Sequence, residues 1–464
     1  MITFYRTRPH PYQSSSNTFD DLYAKFLEDI ERLDTWDGPM IEALRDPPKP
    51  LEIPEHPANR TGGMNILDLA ANVENRSSSE GSQFPDAFIL SRLSGPEPRC
   101  MDPLDLELNR QVRQILHSGC AICPKQDDLS DCGFCLSMTY CSQEHLLLDQ
   151  ASHEKICGLI VAARERAEEW RVKLEQDPSQ PFRTKVGELH LIPGAQRYFA
   201  ELSTLIELHE PIRHRCAVER QLIFAFHIMY MSGIDSYGYR FKVPALMMRI
   251  NRDQECYDFM KWRTNQSEDP NSKTALDYLS LRFANPTLVN PIIPNPRRDF
   301  VGYEQEDIFE PIDVFSPETP IMTLIPLCLV KIRFLVDVQR LHLAVRAFGD
   351  KLNGDVLDLV LKNIPFTKQI AEKKDLIKSA VARRATMKAL MGQVLKLYRK
   401  VKSMNHLVWK GMAWLMRGDT PWPSEDHTLV EEMEAQVKMN WESWIETPGA
   451  ITLLREIMTK AGDL

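Results

Sequence analysis

Cysteine and histidine residues in one short segment of the chain have the spacing of metal ligands. The chain holds ten cysteines in 464 residues, and six of them lie between Cys120 and Cys157. Together with two histidines they make two CxxC pairs, one CxxxH pair and one HxxxC pair. The eight residues are Cys120, Cys123, Cys132, Cys135, Cys141, His145, His153 and Cys157.

These pairs predict two zinc ions with a structural role. A CxxC pair lets two thiolates converge on one tetrahedral ion, and ligands four residues apart lie on one face of a helix. Eight ligands fill two shells, and a closed shell is typical of structural zinc because a catalytic ion needs an open position. A redox CxxC or a chance cluster would leave the other pairs unexplained. We therefore predict two Zn²⁺ per chain and no metal catalysis.

The order of these ligands resembles that of the MYND zinc finger. Tyr140, Cys141 and Ser142 stand as in that family, Asp149 occupies its usual acidic position, and His153 follows His145 at the family's distance. The resemblance implies that the pairs interleave, which spacing alone does not establish. It assigns zinc 1 to Cys120, Cys123, Cys141 and His145, and zinc 2 to Cys132, Cys135, His153 and Cys157.

Three positions differ from the usual family pattern, and two of them concern binding. His145 replaces a cysteine, which preserves the shell because imidazole binds zinc well. Gln150 stands where tryptophan is frequent, and Glu154 stands where lysine is common. The resemblance implies a protein or proline-containing peptide as the partner, and the missing tryptophan removes one aromatic surface for such docking.

The net charge of the chain and the charged residues around the metal ligands indicate which class of partner the protein binds. The chain has a formal net charge of −9, which disfavours general attraction to nucleic acid or to anionic membranes. Residues 118–157, called the finger below, contain Lys125 and Lys155 as their only lysines and have no arginine. Their acidic residues are Asp127, Asp128, Asp131, Glu144, Asp149 and Glu154. We expect the finger to bind protein rather than DNA, with a purely structural zinc-stapled insert as the alternative.

The composition predicts a mainly α protein. Glycine is scarce, at 20 residues, while proline is plentiful, at 31, a balance that favours helices broken by stiff connectors. Residues 243–249 and 254–262 are apolar on either side of a polar break at 250–253, which predicts a helix hairpin of the tetratricopeptide-like kind. No repeat period is present, so we predict an irregular helical array. The hairpin and residues 441–450 also resemble segments of uncharacterised fungal MYND-finger proteins.

The distribution of patterns along the chain predicts five regions. They are N-terminal helices and loops at 1–117, the finger at 118–157, a helical region at 158–284, a proline-rich connector at 285–320 and a C-terminal helical region at 321–464. Apolar periodicity predicts helices at 17–33, 104–117, 144–175, 196–209, 211–232, 244–263, 320–348, 367–404, 406–416 and 425–460, the last with a break at Pro448. Two of these begin near a proline, at Pro211 and Pro244, as first helical positions prefer.

The predicted helix 367–404 is markedly basic, and it supports the alternative function. Its apolar seam, which includes Val381, allows contact with an acidic partner, with RNA or with acidic parts of the same chain. A nucleic-acid-associated transcriptional regulator that uses this helix is therefore the second hypothesis. A solvated face on a packed helix is the simpler interpretation.

Enzyme motifs are incomplete in this sequence. His209 and His214 belong to an HExxxH segment, whose extra residue moves the second histidine off the face that a zinc protease requires. The chain has no GxSxG elbow and no glycine-rich phosphate loop. A SET-type methyltransferase is a third and disfavoured hypothesis, because its cofactor motif is missing. We predict no catalytic and no cofactor-binding residues beyond the zinc ligands.

The N-terminal sequence and the apolar runs bear on location. The first 17 residues contain no apolar segment of a signal peptide. The longest apolar run, at 320–330, is shorter than the roughly 20 residues that cross a bilayer. We therefore expect no membrane contact and an intracellular location, in the nucleus or the cytoplasm.

Overall fold

The computed structural model describes most of the finger and helical regions of the chain. The described residues are 19–34, 116–265 without 233, 234 and 236, 305–348, 357, 361, 367–417 and 427–463. Most of the predicted helix at 104–117, the proline run at 47–50, the serine run at 77–82 and the connector up to residue 304 lie outside them. Within the described ranges the protein is mainly α-helical, as predicted.

The helices are labelled here in chain order. They are α1 Phe19–Arg32, α2 Gln143–Glu175, α3 Pro181–Thr184, α4 Ala195–His209, α5 Arg215–Ser232, α6 Tyr239–Arg249, α7 Asp253–Asn265, α8 Ile321–Phe348, α9 Lys368–Glu372, α10 Lys374–Lys378, α11 Ala380–Met404, α12 Leu407–Arg417, α13 His427–Ile445 and α14 Ala450–Ala461. Two short 3-10 helices span Leu189–Leu191 and Ile312–Val314.

Two short strands form a hairpin in the finger. Strand β1 is Ser130–Asp131 and strand β2 is Thr139–Tyr140. They pair antiparallel, with Ser130 opposite Tyr140. The hairpin brings Cys132 and Cys135, which lie in its loop, back toward the helix that follows β2.

Neighbouring helices pack against each other in an irregular succession that begins at the finger. Helix α2 packs on α4, α4 on α5, α5 on α6, and α6 on α7. Helices α6 and α7 are joined by three residues at 250–252, as the polar break predicted. A tetratricopeptide-like arrangement stays a hypothesis, since the succession shows no regular repeat.

The C-terminal helices surround α8, which is buried on nearly all sides. Its sequence is apolar around most of its circumference, as expected for a helix inside a core. Helix α8 packs along α11 and also contacts α6, α13 and α14. Since α6 packs against both α8 and α13, the helices on the two sides of the proline-rich region share one hydrophobic core. None of the helices in the described ranges combines the length and apolar character that a membrane crossing requires.

Two predicted helix starts at prolines are wrong. Helix α5 begins at Arg215 rather than at Pro211, because His214 is held in a backbone bridge with His117. Pro244 lies inside α6, which begins at Tyr239 after Gly238. Gly238 has φ of 72°, a left-handed conformation that glycine adopts without strain.

The basic stretch 367–404 is not one helix. It is divided into α9, α10 and α11 by Lys373 and Ser379, both of which have extended backbone. Ser379 is the N-cap of α11, and its side chain accepts a hydrogen bond from the Ala382 amide. The predicted apolar seam is wrong at Val381, which lies on α11 and is 68% exposed.

A buried ion pair joins the end of α6 to the end of α13. Arg249 Nε donates to one Glu446 carboxylate oxygen over 2.8 Å, and Arg249 Nη2 donates to the other over 2.9 Å. The two side chains are 5% and 4% exposed. Arg213 lies 3.6 Å from the same carboxylate. A bidentate pair in this position fixes the angle between two helices as well as contributing energy.

Replacing Arg249 by methionine is expected to lower the free energy of unfolding by about 3–5 kcal/mol, because it leaves a buried carboxylate without its main partner. The double variant Arg249→Met/Glu446→Leu should lose less, since it buries neither charge. Urea denaturation followed by circular dichroism measures both. Lys185→Ala is the control, because the exposed Lys185–Glu188 pair is worth at most about 1 kcal/mol. Equal losses for Arg249→Met and Lys185→Ala would contradict the assignment.

Candidate metal centre

The first cluster joins the loop before β1 to the start of α2. The ligand atoms of Cys120, Cys123, Cys141 and His145 all lie within 4.8 Å of one another. Cys123 Sγ is 3.6 Å from Cys141 Sγ, and His145 Nδ1 is 3.2 Å from Cys141 Sγ and 3.4 Å from Cys120 Sγ. Cys120 is buried, while the other three residues are half-buried.

The second cluster joins the hairpin loop to the next turns of α2. It consists of Cys132, Cys135, His153 and Cys157, all buried, with ligand atoms within 4.8 Å of one another. His153 Nε2 is 3.2 Å from Cys135 Sγ and 3.4 Å from Cys132 Sγ, and Cys132 Sγ is 3.8 Å from Cys157 Sγ. The residues therefore group in the interleaved order that the resemblance implied.

The separations between ligand atoms suit a tetrahedral zinc ion. With Zn–S near 2.3 Å and Zn–N near 2.0–2.1 Å, the edges of such a tetrahedron measure about 3.5–3.8 Å. The six separations given above run from 3.2 to 3.8 Å, and all ligand atoms of each cluster lie within 4.8 Å of one another. Two Cys₃His clusters of this size fit two structural zinc ions. Each has four protein ligands, which leaves no open position for a substrate.

Helix α2 positions three of the eight residues. Ser142 is its N-cap, and the Ser142 side chain accepts a hydrogen bond from the His145 amide over 3.3 Å. This cap directs His145 back toward Cys141, which directly precedes the N-cap. His153 and Cys157 lie one turn apart on the same face. One helix thus contributes to both clusters.

Several thiols of the two clusters have pKa values far from that of a free cysteine. Burial raises the pKa of Cys120, but hydrogen bonds from backbone amides lower it overall to about 6. A hydrogen bond with Cys135 lowers the pKa of Cys132 to about 3, and the same bond raises the pKa of Cys135. Each cluster therefore ionises one thiol easily and resists ionising the next, because thiolates repel one another. A divalent cation removes this conflict, so the donors fit zinc.

Tyr140 and Asp149 hold the hairpin against α2. The Tyr140 hydroxyl, on a side chain 2% exposed, donates to Asp149 Oδ2 over 2.7 Å. Ser152 Oγ donates to the other carboxylate oxygen of Asp149. Burial, and then the bond to Asp149, raises the pKa of Tyr140, so its hydroxyl remains a donor. The acidic position that the family pattern includes thus has a structural role here.

A backbone contact fixes the finger to the helical region before α5. His117 and His214 form a parallel bridge. The His117 amide donates to the Arg213 carbonyl over 3.4 Å, and the Arg215 amide donates to the His117 carbonyl over 2.7 Å. The two imidazole rings meet edge to face, with centroids 5.5 Å apart. The chain entering the finger is therefore held at the start of α5.

The side chain of His214 adds a second contact at this junction. Its Nδ1 accepts from the Cys216 amide over 3.2 Å, so Nε2 carries the proton of the neutral ring. Nε2 lies 3.0 Å from the Gly119 carbonyl oxygen and 3.2 Å from Thr139 Oγ1. Thr139 Oγ1 donates to the same carbonyl over 2.7 Å. Burial lowers the pKa of His214, which favours this neutral state.

The junction residues were not predicted from the sequence. His214 pairs with Thr139 across 75 residues of sequence. Arg220 Nε, on α5, donates to the Leu136 carbonyl of the hairpin loop over 3.3 Å, across 84 residues. Neither contact belongs to a local motif. The sequence signal for this junction is limited to residue type and position. His117 lies just before the finger, and His214 lies just before α5.

The HExxxH segment does not form a metal site. His209 Nδ1 donates to the Leu205 carbonyl over 2.5 Å, within its own helix. Burial lowers the pKa of His209 to about 4, while His214 faces the finger. Within the described ranges, the Cys, His, Asp and Glu side chains close enough to hold an ion are those of the two clusters.

Native mass spectrometry should find two zinc ions per chain, and paired substitutions test the interleaving. Cys120→Ala/Cys141→Ala should retain one ion, because both changes fall in one cluster. Cys120→Ala/Cys132→Ala should retain none, because the changes fall in different clusters. Sequential pairing of the ligands would reverse these two results. Cys216→Ala, a thiol outside both clusters, is the control and should retain two ions.

Replacing His214 by alanine should loosen the junction without emptying the metal sites. We expect the free energy of unfolding to fall by about 1–3 kcal/mol, because buried partners at Gly119 and Thr139 lose their hydrogen bond. His214→Gln should lose less, since its amide supplies a donor near Nε2. Thermal denaturation measures the loss, and native mass spectrometry counts the zinc. Unchanged stability of His214→Ala, or loss of zinc, would contradict this role.

Comparison with known proteins agrees with the geometry of the clusters. The family model described as MYND finger matches residues 120–157, a span that begins and ends at cluster residues. No curated protein and no solved structure matches the chain. The resemblance of the helical segments to fungal proteins therefore stays a prediction. The match and the two Cys₃His clusters together show that residues 120–157 of this mainly α-helical chain are a MYND finger.

Proposed function

We propose that this chain is a protein-interaction scaffold whose MYND finger binds a segment of a partner protein. MYND fingers are generally protein-interaction modules, and this one has both clusters closed by four ligands. The closed clusters carry the proposal. With no open metal position, the finger has only its surface side chains with which to contact another molecule. The eight cluster residues are proposed as the zinc ligands.

Exposed apolar side chains in the finger support a binding role. Ile122 and Phe134 each precede the second cysteine of a CxxC pair, and they are 43% and 70% exposed. Leu147 and Leu148, on the first turns of α2, are 57% and 70% exposed. Single exposed apolar residues are common, but four within one small module favour an interaction surface. An exposed phenylalanine is a typical anchor for a partner pocket or peptide.

The charge of the finger indicates the chemistry of the partner. Lys125 Nζ lies 3.6 Å from a carboxylate oxygen of Asp128, so one of the finger's two lysines already has a partner. The finger's six carboxylates outnumber its lysines and leave it with a negative charge. Thiolate ligands add further negative charge. A partner segment with apolar and basic residues would match this surface, and the family resemblance adds proline as a component. Nucleic acid would meet a repelling surface at the finger.

The helical regions are proposed to support the finger rather than to carry a separate activity. Helix α2 continues from the finger into the packing with α4, and His214, directly before α5, contacts the finger. The regions 158–284 and 321–464 form this support, and 285–320 is the proposed connector. An intracellular location is proposed because zinc-binding thiols persist in a reducing compartment.

The nucleic-acid hypothesis gains no support from the basic stretch. Arg384, Lys388, Lys396 and Lys402 all lie within 4 Å of carboxylates from other parts of the chain. These cations are therefore partly neutralised by the protein itself. A catalytic role is likewise not proposed, since the sequence lacks the cofactor motif of a methyltransferase.

Surface substitutions separate an interaction module from a structural insert. In an affinity capture from extract of the source cells, Phe134→Ser and Leu148→Ser should each reduce the captured partner at least about tenfold, as loss of a binding anchor does. Both variants should retain two zinc ions, because neither residue is a ligand. Quantitative mass spectrometry of the captured proteins measures the loss.

The matched control is Leu191→Ser. Leu191 is 67% exposed, like Phe134, but it lies in a 3-10 helix outside the finger. This variant should capture partners as the wild type does. Cys132→Ala should lose the same partners together with one zinc ion. Equal capture by all four variants would show that the finger is a structural insert and would overturn the proposal.

A further inference from the structure

Helix α1 is distant in sequence from the residues that it contacts. In the sequence, residues 35–115 separate it from the described start of the finger region. It nevertheless packs on α11 and α14, and Arg346 of α8 donates to the Leu33 carbonyl just after α1 over 2.6 Å. Among the described residues, these contacts hold α1 against the C-terminal helices.

One face of α1 fills an apolar groove. Leu22, Phe26 and Ile30 are each at most 2% exposed and recur at four-residue spacing. Tyr23 adds a polar anchor, since its hydroxyl donates to the Lys388 carbonyl on α11 over 2.9 Å. This is the arrangement of an amphipathic helix bound in a groove, with anchors at i, i+4 and i+8.

The groove is basic and α1 is acidic. Helix α11 contains seven cations and no carboxylate, and they are Arg383, Arg384, Lys388, Lys396, Arg399, Lys400 and Lys402. Arg384 and Lys388 pair with Asp34 and Glu31 over 2.8 and 3.1 Å. Lys460 of α14 pairs with Asp29 and lies over the Phe26 ring. Charge complementarity therefore covers the C-terminal end of α1, at residues 29–34.

These contacts are suited to reversible docking. The carboxylates of Glu31 and Asp34 belong to side chains 67% and 41% exposed, and ion pairs so accessible to water contribute little. A helix of 14 residues is marginal on its own and needs its partner surface to stay folded. Docking thus depends mainly on the apolar face of α1 and on the hydrogen bonds at Tyr23 and Leu33.

We propose that the groove of α8, α11 and α14 is a docking site for an acidic amphipathic helix of a partner protein, and that α1 occupies it as an internal competitor. The partner helix would present apolar residues at i, i+4 and i+8 and carboxylates toward Arg384, Lys388 and Lys460. This site contains none of the finger's ligands, so it goes beyond the function proposed for the finger. The apolar residues of the groove distinguish it from a surface that binds polyanions through charge alone.

A peptide of residues 17–34 serves as the probe for the partner helix. Labelled with fluorescein, it is titrated with the full chain and followed by anisotropy. If α1 occupies the groove in about 90–99% of molecules, the wild-type chain should bind the peptide about 10–100-fold more weakly than a chain whose α1 is undocked. Full-length Phe26→Asp/Ile30→Asp is the undocked variant, because its changes lie on α1 and leave the groove intact.

A second variant guards against misfolding of the first. Glu31→Lys/Asp34→Lys alters only exposed carboxylates of α1 and should raise affinity for the peptide by a smaller factor. Within the undocked variant, Arg384→Glu/Lys388→Glu should weaken binding of the wild-type peptide about three- to tenfold, because two exposed ion pairs are replaced by like charges. A peptide carrying Glu31→Lys/Asp34→Lys should then bind better than the wild-type peptide. Retention of two zinc ions and of the helical circular dichroism spectrum checks each fold.

Two results would overturn the proposal. One is equal affinity of the peptide for the wild-type chain and for both α1 variants. The other is binding of duplex DNA, but not of the peptide, by the undocked chain, which would make the groove a nucleic-acid surface. Selective peptide binding that follows the charge reversal supports the helix-docking site.

Discussion

The repulsion between buried thiolates is the constraint on which the finger depends. The hydrogen bond between Cys132 and Cys135 lowers the pKa of Cys132 and raises the pKa of Cys135, as expected for thiols that share a proton rather than ionise together. The finger has only two short strands and few apolar residues to bury. Metal binding must therefore supply much of its folding energy, as in other small zinc modules. The hairpin, the start of α2 and the loop before β1 adopt one arrangement because their thiols and imidazoles share two ions.

Helix α2 carries this constraint into the rest of the molecule. It contributes residues to both clusters near its start and packs on α4 farther along, so one continuous helix joins the finger to the helical region. The junction at His214 adds a second attachment from α5. A partner bound at the finger would therefore meet a rigid surface, with little ordering cost on this side of the interface. The proposed docking groove under α1 would be a different kind of contact, in which competition with α1 sets the affinity of a partner helix.

Local chemistry explains how much the sequence could predict. Ligand spacing and the capped start of α2 are properties of neighbouring residues, so the clusters and most helices followed from pattern. The interleaving needed the family resemblance, since several pairings satisfy the same spacing. Contacts such as those of His214 with Gly119 and Thr139 join residues far apart in the sequence, so no periodic pattern in the sequence indicates them. The helix starts at Pro211 and Pro244 were wrong because tertiary contacts, namely the bridge at His117 and the turn at Gly238, overrode a weak positional preference.

The continuity of α2 also fixes the rotational phase of the finger. The helix has 33 residues, and His153 and Cys157 share its buried face with Ala163, Ala167 and Leu174 farther along. Each residue of an α-helix turns the chain by about 100° and advances it by about 1.5 Å. Inserting one residue between Cys157 and Ala163 would therefore swing the finger by roughly a quarter turn relative to α4 and separate it from His214. An insertion of seven residues would nearly restore its orientation while moving it outward by about 10 Å. A change in the length of this helix would thus change the orientation of a partner bound at the finger relative to the helical region.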